Sequence, residues 1–422
     1  MRHIPLNKLR ATEFMEQYDL DAIIATSPTN IHYFTGYHWW LDPLFRRYMV
    51  NPGDSDELLF PGFAVLTRDG DSALIVNKML VVNAAHMDTK VVHPFGGFTY
   101  DESTEPESWR DRDRRIFELI GNRDHQTRID ALKEGLKNYG LHEGRLGIEL
   151  GGFETRQRSE ITSALNGPEL LDCSNLIRLI RAVKTRQEID ILTRAAEIAE
   201  AAAISTLEEA CSGSRWGDLV RKYRVRLAEH DADYDHLILG DAGLGISTDS
   251  DRILHSDEVS FADWGCVYRH YFSDAGSTFS MGQPSEQIED RFSALGTCIS
   301  EGASQLKPGI KGSNVQRAMM DALESCDVSG TFQPHGHGIG LDVRDYPIVV
   351  PDNGLNIRDD CVNESSDLSM EEGMVISLEV SQYLPGAASL NNERVFVVAP
   401  AGGKELIPYQ REHPIESLGD NN

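Results

Sequence analysis

Residues 259–274 read VSFADWGCVYRHYFSD and are the most informative part of the second half of the chain. Its alternation predicts two strands, and in the first strand Asp263 shares a face with two apolar residues. A turn over residues 267–270 would place Asp263 directly opposite Asp274, with Cβ atoms roughly 4.5–5.5 Å apart. Because a carboxylate that faces a core is costly unless it is neutralised, this pair indicates a nearby cation.

A second hairpin with the same character lies near the end of the chain. Strand-like segments at residues 374–380 and 391–398 flank a Pro-Gly turn signal that ends at Gly386. A turn centred on Gly386 would make Glu379 and Glu393 cross-strand partners. The sequence therefore predicts two hairpins, each with a pair of facing carboxylates.

The segment between the hairpins adds a histidine. Residues 334–340 read PHGHGIG, and glycines around His337 let the backbone approach a crowded site closely. Taken singly, each of these residues is typical of a solvated strand edge or a structural loop. Two opposed carboxylate pairs, however, need a shared positive charge, which two divalent cations roughly 3.5–4 Å apart would supply. Oxygen ligands with one imidazole favour Mn²⁺, Fe²⁺, Co²⁺ or Zn²⁺, so the pattern predicts a binuclear site that activates water against a carbonyl group.

The candidate ligands follow one another in the order Asp, Asp, His, Glu, Glu, at Asp263, Asp274, His337, Glu379 and Glu393. This order resembles the pita-bread-fold metallopeptidase family, which includes Xaa-Pro dipeptidases, Xaa-Pro aminopeptidases and methionine aminopeptidases, with creatinase and certain dimethylsulfoniopropionate lyases as relatives. TNIHYFTGY at residues 29–37 is similar to the N-terminal domain of the prolidase and creatinase branch, and IRAVK at 180–184 to the start of its catalytic domain.

The resemblance implies an α+β protein with two domains. Residues 1–178 would form a creatinase-like N-terminal α/β domain, and residues 179–422 a pita-bread-fold catalytic domain with the binuclear metal site. By the same likeness Glu379 acts as the general base beside His337.

Family likeness also predicts a homodimer, in which the N-terminal domain of one chain roofs the site of its partner. Trp39 and Trp40 are candidates for that roof, where a ring face would hold a cationic substrate group. Ordinary domain core is the alternative for both.

Two histidines of the peptidase pattern are missing. Residues 243–249 lack the substrate-facing histidine, and Arg344 stands seven residues after the ligand histidine, where peptidases carry another. Arg344 offers a planar fork for a substrate carboxylate, with a salt bridge to Asp342 or Asp345 as the alternative. His335 and Asp345 are further candidates for substrate contacts.

These residues are compatible with three functional hypotheses. The first is a binuclear metallohydrolase, Xaa-Pro dipeptidase-like, in which a metal-bridging hydroxide cleaves an amide or peptide C–N bond of a small substrate. The second, favoured by the missing histidines, is a metal enzyme of the creatinase or dimethylsulfoniopropionate-lyase kind that acts on an amino-acid derivative or a betaine-like compound. The third is a non-catalytic binding module, against which the intact ligand set argues.

Composition limits the partners and the compartment. The chain has 422 residues, more than one core usually covers, and a net charge of −27 at pH 7. Such a charge repels phosphate backbones and anionic lipid, so neither nucleic acid nor a membrane is an expected partner. No apolar run of about 18 residues, no signal-peptide core and six widely spaced cysteines together predict a cytoplasmic protein with reduced thiols.

Local patterns predict the principal elements of each half. In the first half we expect a turn at residues 27–30 and strands at 20–26, 63–66, 73–76 and 146–150. In the second half, Thr185 and Glu188 form a capping box that opens a helix to about Ala210. Residues 313–316 are predicted to cap another helix, whose buried stripe would end at Cys326.

Overall fold

The computed structural model describes residues 5–38, 62–85, 87, 91–97, 108–121, 125–153, 155–328, 332–407 and 413–416. The chain divides into two compact units. The first unit comprises residues 1–181 and 357–364, and the second comprises residues 182–356 and 365–422. Trp39 and Trp40 lie outside the described residues, so their predicted role as a roof stays a prediction.

The first unit is built on a mixed sheet with the strand order β4-β3-β2-β1-β5-β6. Its strands are β1 Ala22–Ala25, β2 Phe63–Thr67, β3 Ser72–Asn77, β4 Val91–Phe95, β5 Arg145–Ile148 and β6 Glu169–Asp172. Its helices are α1 Lys8–Gln17, α2 Pro28–Thr35, α3 Asp111–Ile120, α4 Arg128–Asn138, α5 Thr155–Ala164 and α6 Ser174–Ala182, with a 3₁₀ helix over Lys78–Ala84.

Four predicted strands of the first unit are present as β1, β2, β3 and β5, and β2 pairs with β3 as an antiparallel hairpin. The turn predicted at residues 27–30 is wrong, because a helix begins there. Ser27 caps α2 by accepting a hydrogen bond from the backbone amide of Asn30, and Pro28 occupies the first helical position, where its missing N–H costs nothing.

The second unit is built on a long sheet with the strand order β12-β11-β15-β16-β10-β9-β7-β8, to which β17 and β18 add at β16 and β10. Its strands include β7 Asp233–Asp241, β8 Gly245–Ser247, β9 Val259–Tyr268, β10 Tyr271–Ser280, β11 His335–Gly338 and β12 Asp345–Val349. Further along the chain are β15 Val375–Leu384, β16 Ala388–Val397, β17 Lys404–Glu405 and β18 Ile415–Glu416. The short strands β13 Asn356–Arg358 and β14 Asn363–Ser365, most of whose residues belong to the first unit, pair with each other in a separate sheet. The helices are α7 Arg186–Glu208, α8 Trp216–Ala228, α9 Glu286–Ser304 and α10 Gly312–Ser325.

Helices cover one face of this long sheet. Ala262 and Trp264 of β9 are buried in one cluster with residues of α7 and α8, and Leu378 of β15 is buried in another with residues of α9 and α10. Each buried side chain of leucine size contributes about 2 kcal/mol. Since successive side chains of a strand point to opposite faces, Asp263 and Glu379 lie on the face away from the helices.

The helix starts show one correct and one wrong prediction. The capping box of Thr185 and Glu188 is present at the start of α7, which ends at Glu208. Ser313 does not cap α10, because Lys311 holds the cap position and Ser313 lies inside the first turn, where its amide and hydroxyl donate to Asp367. Cys326 is exposed rather than part of the buried stripe, since α10 has ended one residue before it.

None of the helices in the described ranges combines the length and hydropathy that a bilayer crossing requires. All six cysteines are free thiols, and three of them, Cys173, Cys266 and Cys298, are buried.

Candidate metal centre

Neighbouring strands of the second unit carry the predicted ligands. The residues are His337 on β11, Glu379 on β15, Glu393 on β16, Asp274 on β10 and Asp263 on β9. These strands stand side by side in the order β11-β15-β16-β10-β9, so residues far apart in sequence meet on one face of a single sheet.

The second hairpin has the predicted register. Glu379 of β15 pairs directly with Glu393 of β16, and Gly386 in the turn between them has a φ of 74°. Ser377 donates its hydroxyl hydrogen to Glu393 Oε1 at 2.8 Å. Glu379 Oε1 accepts a hydrogen bond of 3.1 Å from the amide of Asn391.

The first hairpin differs from its prediction by two residues. Asp263 pairs with Gly276 and Asp274 pairs with Gly265, so the two aspartates are diagonal rather than direct neighbours. The reason is the position of the turn, which consists of Arg269 and His270 alone. The aspartates still share a face, since a shift of two positions preserves the alternation.

His337 reaches the first hairpin from β11. Its Nε2 lies 3.4 Å from Asp274 Oδ2, and the imidazole is 2% exposed. Its Nδ1 lies 3.1 Å from the carbonyl oxygen of Gly338, which can only accept a hydrogen bond. The proton is therefore assigned to Nδ1, and Nε2 keeps its lone pair for a cation.

His236 is the residue of this site that the sequence patterns did not identify. It lies on β7, and its Nε2 is 2.9 Å from Asp263 Oδ1 and 3.5 Å from Asp274 Oδ1. Its Nδ1 lies 2.8 Å from Asp235 Oδ2. The available signal was weak: a histidine directly before the apolar run at residues 237–239, upstream of the first aspartate.

Two groups of potential ligands follow from these positions. His236, Asp263 and Asp274 form one group, and Asp274, His337 and Glu393 form the other; within each group the donor atoms lie within 4.8 Å of one another. Asp274 is common to both. Carboxylate oxygens and imidazole nitrogens at this spacing fit divalent cations of the Mn²⁺ to Zn²⁺ series.

Electrostatics at the site indicate a need for positive charge. Burial, together with repulsion from Asp274 and Glu379, raises the pKa of Glu393 well above its usual range. Burial also raises the pKa of Asp263, although the adjacent His236 opposes this shift. Burial would lower the pKa of His236, but hydrogen bonds to Asp235 and Asp263 raise it to about 10.

Glu379 behaves differently from its partner Glu393. Burial favours its neutral form, but the hydrogen bond and charge of His335 outweigh burial and lower the pKa of Glu379. His335 Nε2 lies 3.1 Å from Glu379 Oε2. The hydrogen bond to Glu379 likewise raises the pKa of His335.

Two of the predicted substrate contacts, His335 and Arg344, lie near Glu379, and a third, Asp345, is buried elsewhere. His335 lies beside Glu379, and the exposed Arg344 is near enough that its charge helps to lower the pKa of Glu379. No carboxylate of the described residues forms an ion pair with Arg344, which removes the predicted bridge to Asp342 or Asp345. The prediction that Asp345 contacts the substrate is wrong. Its side chain is 2% exposed and lies 3.7 Å from Lys184 Nζ, so Asp345 is buried in an ion pair.

Family models match both halves of the chain. The model of metallopeptidase family M24 matches residues 190–400, and that of the creatinase/prolidase N-terminal domain matches residues 7–183. Curated relatives include a Xaa-Pro dipeptidase of Pyrococcus furiosus, 22% identical over 96% of this chain and 98% of that protein. Another is an uncharacterised peptidase of Staphylococcus aureus, 24% identical over 93% of this chain and 95% of that protein.

Solved structures share the fold over nearly the whole chain. An X-Pro aminopeptidase from Thermotoga maritima has a TM-score of 0.70 at 16% identity and covers 97% of this chain and 99% of its own. The prolidase from Pyrococcus furiosus has a TM-score of 0.64 at 19% identity, with 95% of this chain and 100% of that chain covered. These similarities establish an N-terminal creatinase-type domain followed by a pita-bread fold.

Proposed function

This chain belongs to metallopeptidase family M24, and we propose that it hydrolyses the C–N bond of a dipeptide or a similarly small amide with the help of divalent metal ions. The convergence of two ligand groups on a shared Asp274 carries the proposal. Since the relative from Pyrococcus furiosus is a Xaa-Pro dipeptidase, Xaa-Pro dipeptides are the first substrates to test.

Two metal ions form part of the proposal, with Mn, Fe, Co and Zn as candidates. The proposed ligands are Asp263, Asp274, His337, Glu379 and Glu393. When bound, such ions polarise a carbonyl oxygen and acidify a water molecule. The raised pKa of Glu393 supports this assignment, because a cation would relieve the repulsion from Asp274 and Glu379 that contributes to the shift.

Glu379 is the proposed general base, with His337 beside it in the catalytic group. A lowered pKa keeps the Glu379 carboxylate ionised near neutral pH, as a proton acceptor must be. The carboxylate of Glu379 accepts hydrogen bonds from the Asn391 side-chain amide at 3.1 Å and from His335 Nε2 at 3.1 Å, and these bonds fix its orientation. The exposed Arg344 is proposed to clamp a substrate carboxylate with its planar fork.

A second candidate function keeps the metal and changes the substrate. The stretch at residues 243–249 has no histidine, and Arg344 replaces another histidine of the peptidases. Both differences favour an amino-acid derivative or a betaine-like compound, processed by chemistry of the creatinase or dimethylsulfoniopropionate-lyase kind.

Assembly and location complete the proposal. We expect a cytoplasmic homodimer with residues 1–178 as the N-terminal domain and residues 179–422 as the catalytic domain. Light scattering of the purified protein measures the oligomeric state, and a monomer at micromolar concentration would contradict this part.

A substrate panel tests the function. Metal-loaded protein is assayed against Xaa-Pro dipeptides, other dipeptides, N-substituted amino acids and betaines. Hydrolysis of Xaa-Pro dipeptides supports the first candidate, and turnover confined to betaines or N-substituted amino acids supports the second.

Arg344→Ala should raise KM for dipeptides with a free carboxylate much more than for their amides; an equal effect on both would remove Arg344 from substrate recognition.

A further inference from the structure

We propose that His236 is an additional metal ligand, binding through Nε2 the same divalent ion as Asp263 and Asp274. The inference rests on the proposed metal-dependent function and deepens it, because it adds a nitrogen donor to the five-residue set. Each ligand group then contains one imidazole, His236 in one and His337 in the other.

The interatomic distances suit a shared ion. His236 Nε2 lies 2.9 Å from Asp263 Oδ1 and 3.5 Å from Asp274 Oδ1. Two donor atoms bound to one ion at about 2.1 Å lie about 3.0–3.4 Å apart for bond angles between about 90° and tetrahedral. The two His236 distances lie within about 0.1 Å of this range, and His337, a proposed ligand of the five-residue set, has its Nε2 at 3.4 Å from Asp274 Oδ2.

Asp235 fixes the orientation of the ring. Its Oδ2 lies 2.8 Å from His236 Nδ1, and a carboxylate oxygen can only accept this hydrogen bond. The bond holds a proton on Nδ1 and directs Nε2 toward the aspartates, and a bound ion would displace the proton that Nε2 shares with Asp263 in the metal-free protein. Histidines that bind metals usually donate their second ring N–H to a carboxylate, a carbonyl or water in this way.

The backbone also provides room for the ring. The pairing of β7 with β9 is irregular between Tyr234 and His236, and this bulge re-aims the His236 side chain. Gly265 lies opposite His236 in that pairing. A methyl group on Gly265 would overlap His236 Cε1 and lie 2.8 Å from Nδ1. The bulge, the glycine and Asp235 thus act together on one imidazole.

A second imidazole changes the expected metal preference. Nitrogen donors favour Zn²⁺, Co²⁺ and Fe²⁺ over Mn²⁺ more strongly than carboxylates do. The ion held by His236 should therefore prefer Co²⁺ or Zn²⁺ over Mn²⁺ by a larger factor than it does after His236 is replaced.

The test measures metal binding directly rather than turnover. Wild-type protein, His236→Gln, Asp235→Asn and the control His255→Gln are stripped with a chelator and titrated with Co²⁺. Visible absorption of Co²⁺ reports its ligands, and elemental analysis after dialysis reports the number of ions. His255 is an exposed histidine of the same unit, so its replacement removes an imidazole without touching the site.

In the expected result, His236→Gln weakens one Co²⁺ site by more than about 10-fold and changes its absorption spectrum, while His255→Gln matches the wild type. Asp235→Asn, which leaves the ring in place, should show a smaller loss of about 10-fold. Unchanged affinity and spectrum in both His236→Gln and Asp235→Asn would overturn the inference and leave the proposed function intact. Failure of the wild type itself to bind Co²⁺ would overturn both.

Discussion

The two carboxylate hairpins of the second unit look alike in sequence but differ in register. In β15–β16, Glu379 stands directly opposite Glu393. In β9–β10 each aspartate stands opposite a glycine, so that Asp263 and Asp274 are diagonal. The turns account for this difference. Arg269 and His270 form a two-residue turn with φ values of 49° and 74°, whereas a longer turn around Gly386 joins β15 to β16.

The difference shows two ways of holding like charges on one sheet. In the first hairpin the space between the aspartates admits His236, whose ring lies against both carboxylates. In the second hairpin His335 Nε2 lies 3.1 Å from Glu379 Oε2, whereas Glu393, which shares a ligand group with His337, accepts a hydrogen bond from the hydroxyl of Ser377. Burial and repulsion from Asp274 and Glu379 raise the pKa of Glu393 well above its usual range, so a bound cation would stabilise its ionised form.

Removing one carboxylate from each hairpin should have the largest effect. Asp263→Asn and Glu393→Gln should each lower activity on any accepted substrate by more than about 100-fold, since losing only a partner of a ligand costs about 10–100-fold. Steady-state kinetics of metal-loaded protein measure this, with the exposed Glu372→Gln as the control. Retained turnover in either variant would show that the hairpin concerned does not hold the reacting centre.

The same two variants should differ in thermal stability when metal is removed. In excess chelator at neutral pH, Glu393→Gln should stabilise the protein by about 1–2 kcal/mol, because the raised pKa of Glu393 means that folding must either bury its anion beside Glu379 or take up a proton, and neutral glutamine avoids both costs. Asp263→Asn should not stabilise it, because it also removes the ion pair with His236. Thermal unfolding gives the comparison, and about 1 kcal/mol shifts Tm by about 2–4 °C in a domain of this size. Equal Tm values for the two variants would mean that His236 does not distinguish the hairpins.

Substitutions in the two hairpin turns should change the stability of the protein in opposite directions, and these changes should be the smallest of those predicted. His270→Gly should stabilise the first hairpin by about 0.5–1 kcal/mol, because glycine adopts the φ of 74° without steric cost. Gly386→Ala should destabilise the second by about 1 kcal/mol, since its φ is also 74°. Urea unfolding of the chelated proteins measures both changes, and a loss of stability in His270→Gly would contradict the assignment of strain to that turn.

Sequence patterns predicted more of the fold than of the site's detail. The pairing of Glu379 with Glu393 was predictable because Gly386 marks the centre of its turn. The partner of Asp263 was not, since neither Arg269 nor His270 is a usual residue for a two-residue turn with positive φ. His236 depends on a bulge and on the pairing of β7 with β9, which are tertiary features without a local signal.

Six adjacent strands, β11, β15, β16, β10, β9 and β7, each carry one proposed metal ligand. A slip of one residue between any two of them would turn a donor toward the helices. Cation uptake is consequently a sensitive assay of native strand alignment. A protein sample that binds both metal ions must have the native register between all six strands. Measurements of secondary-structure content do not report this register.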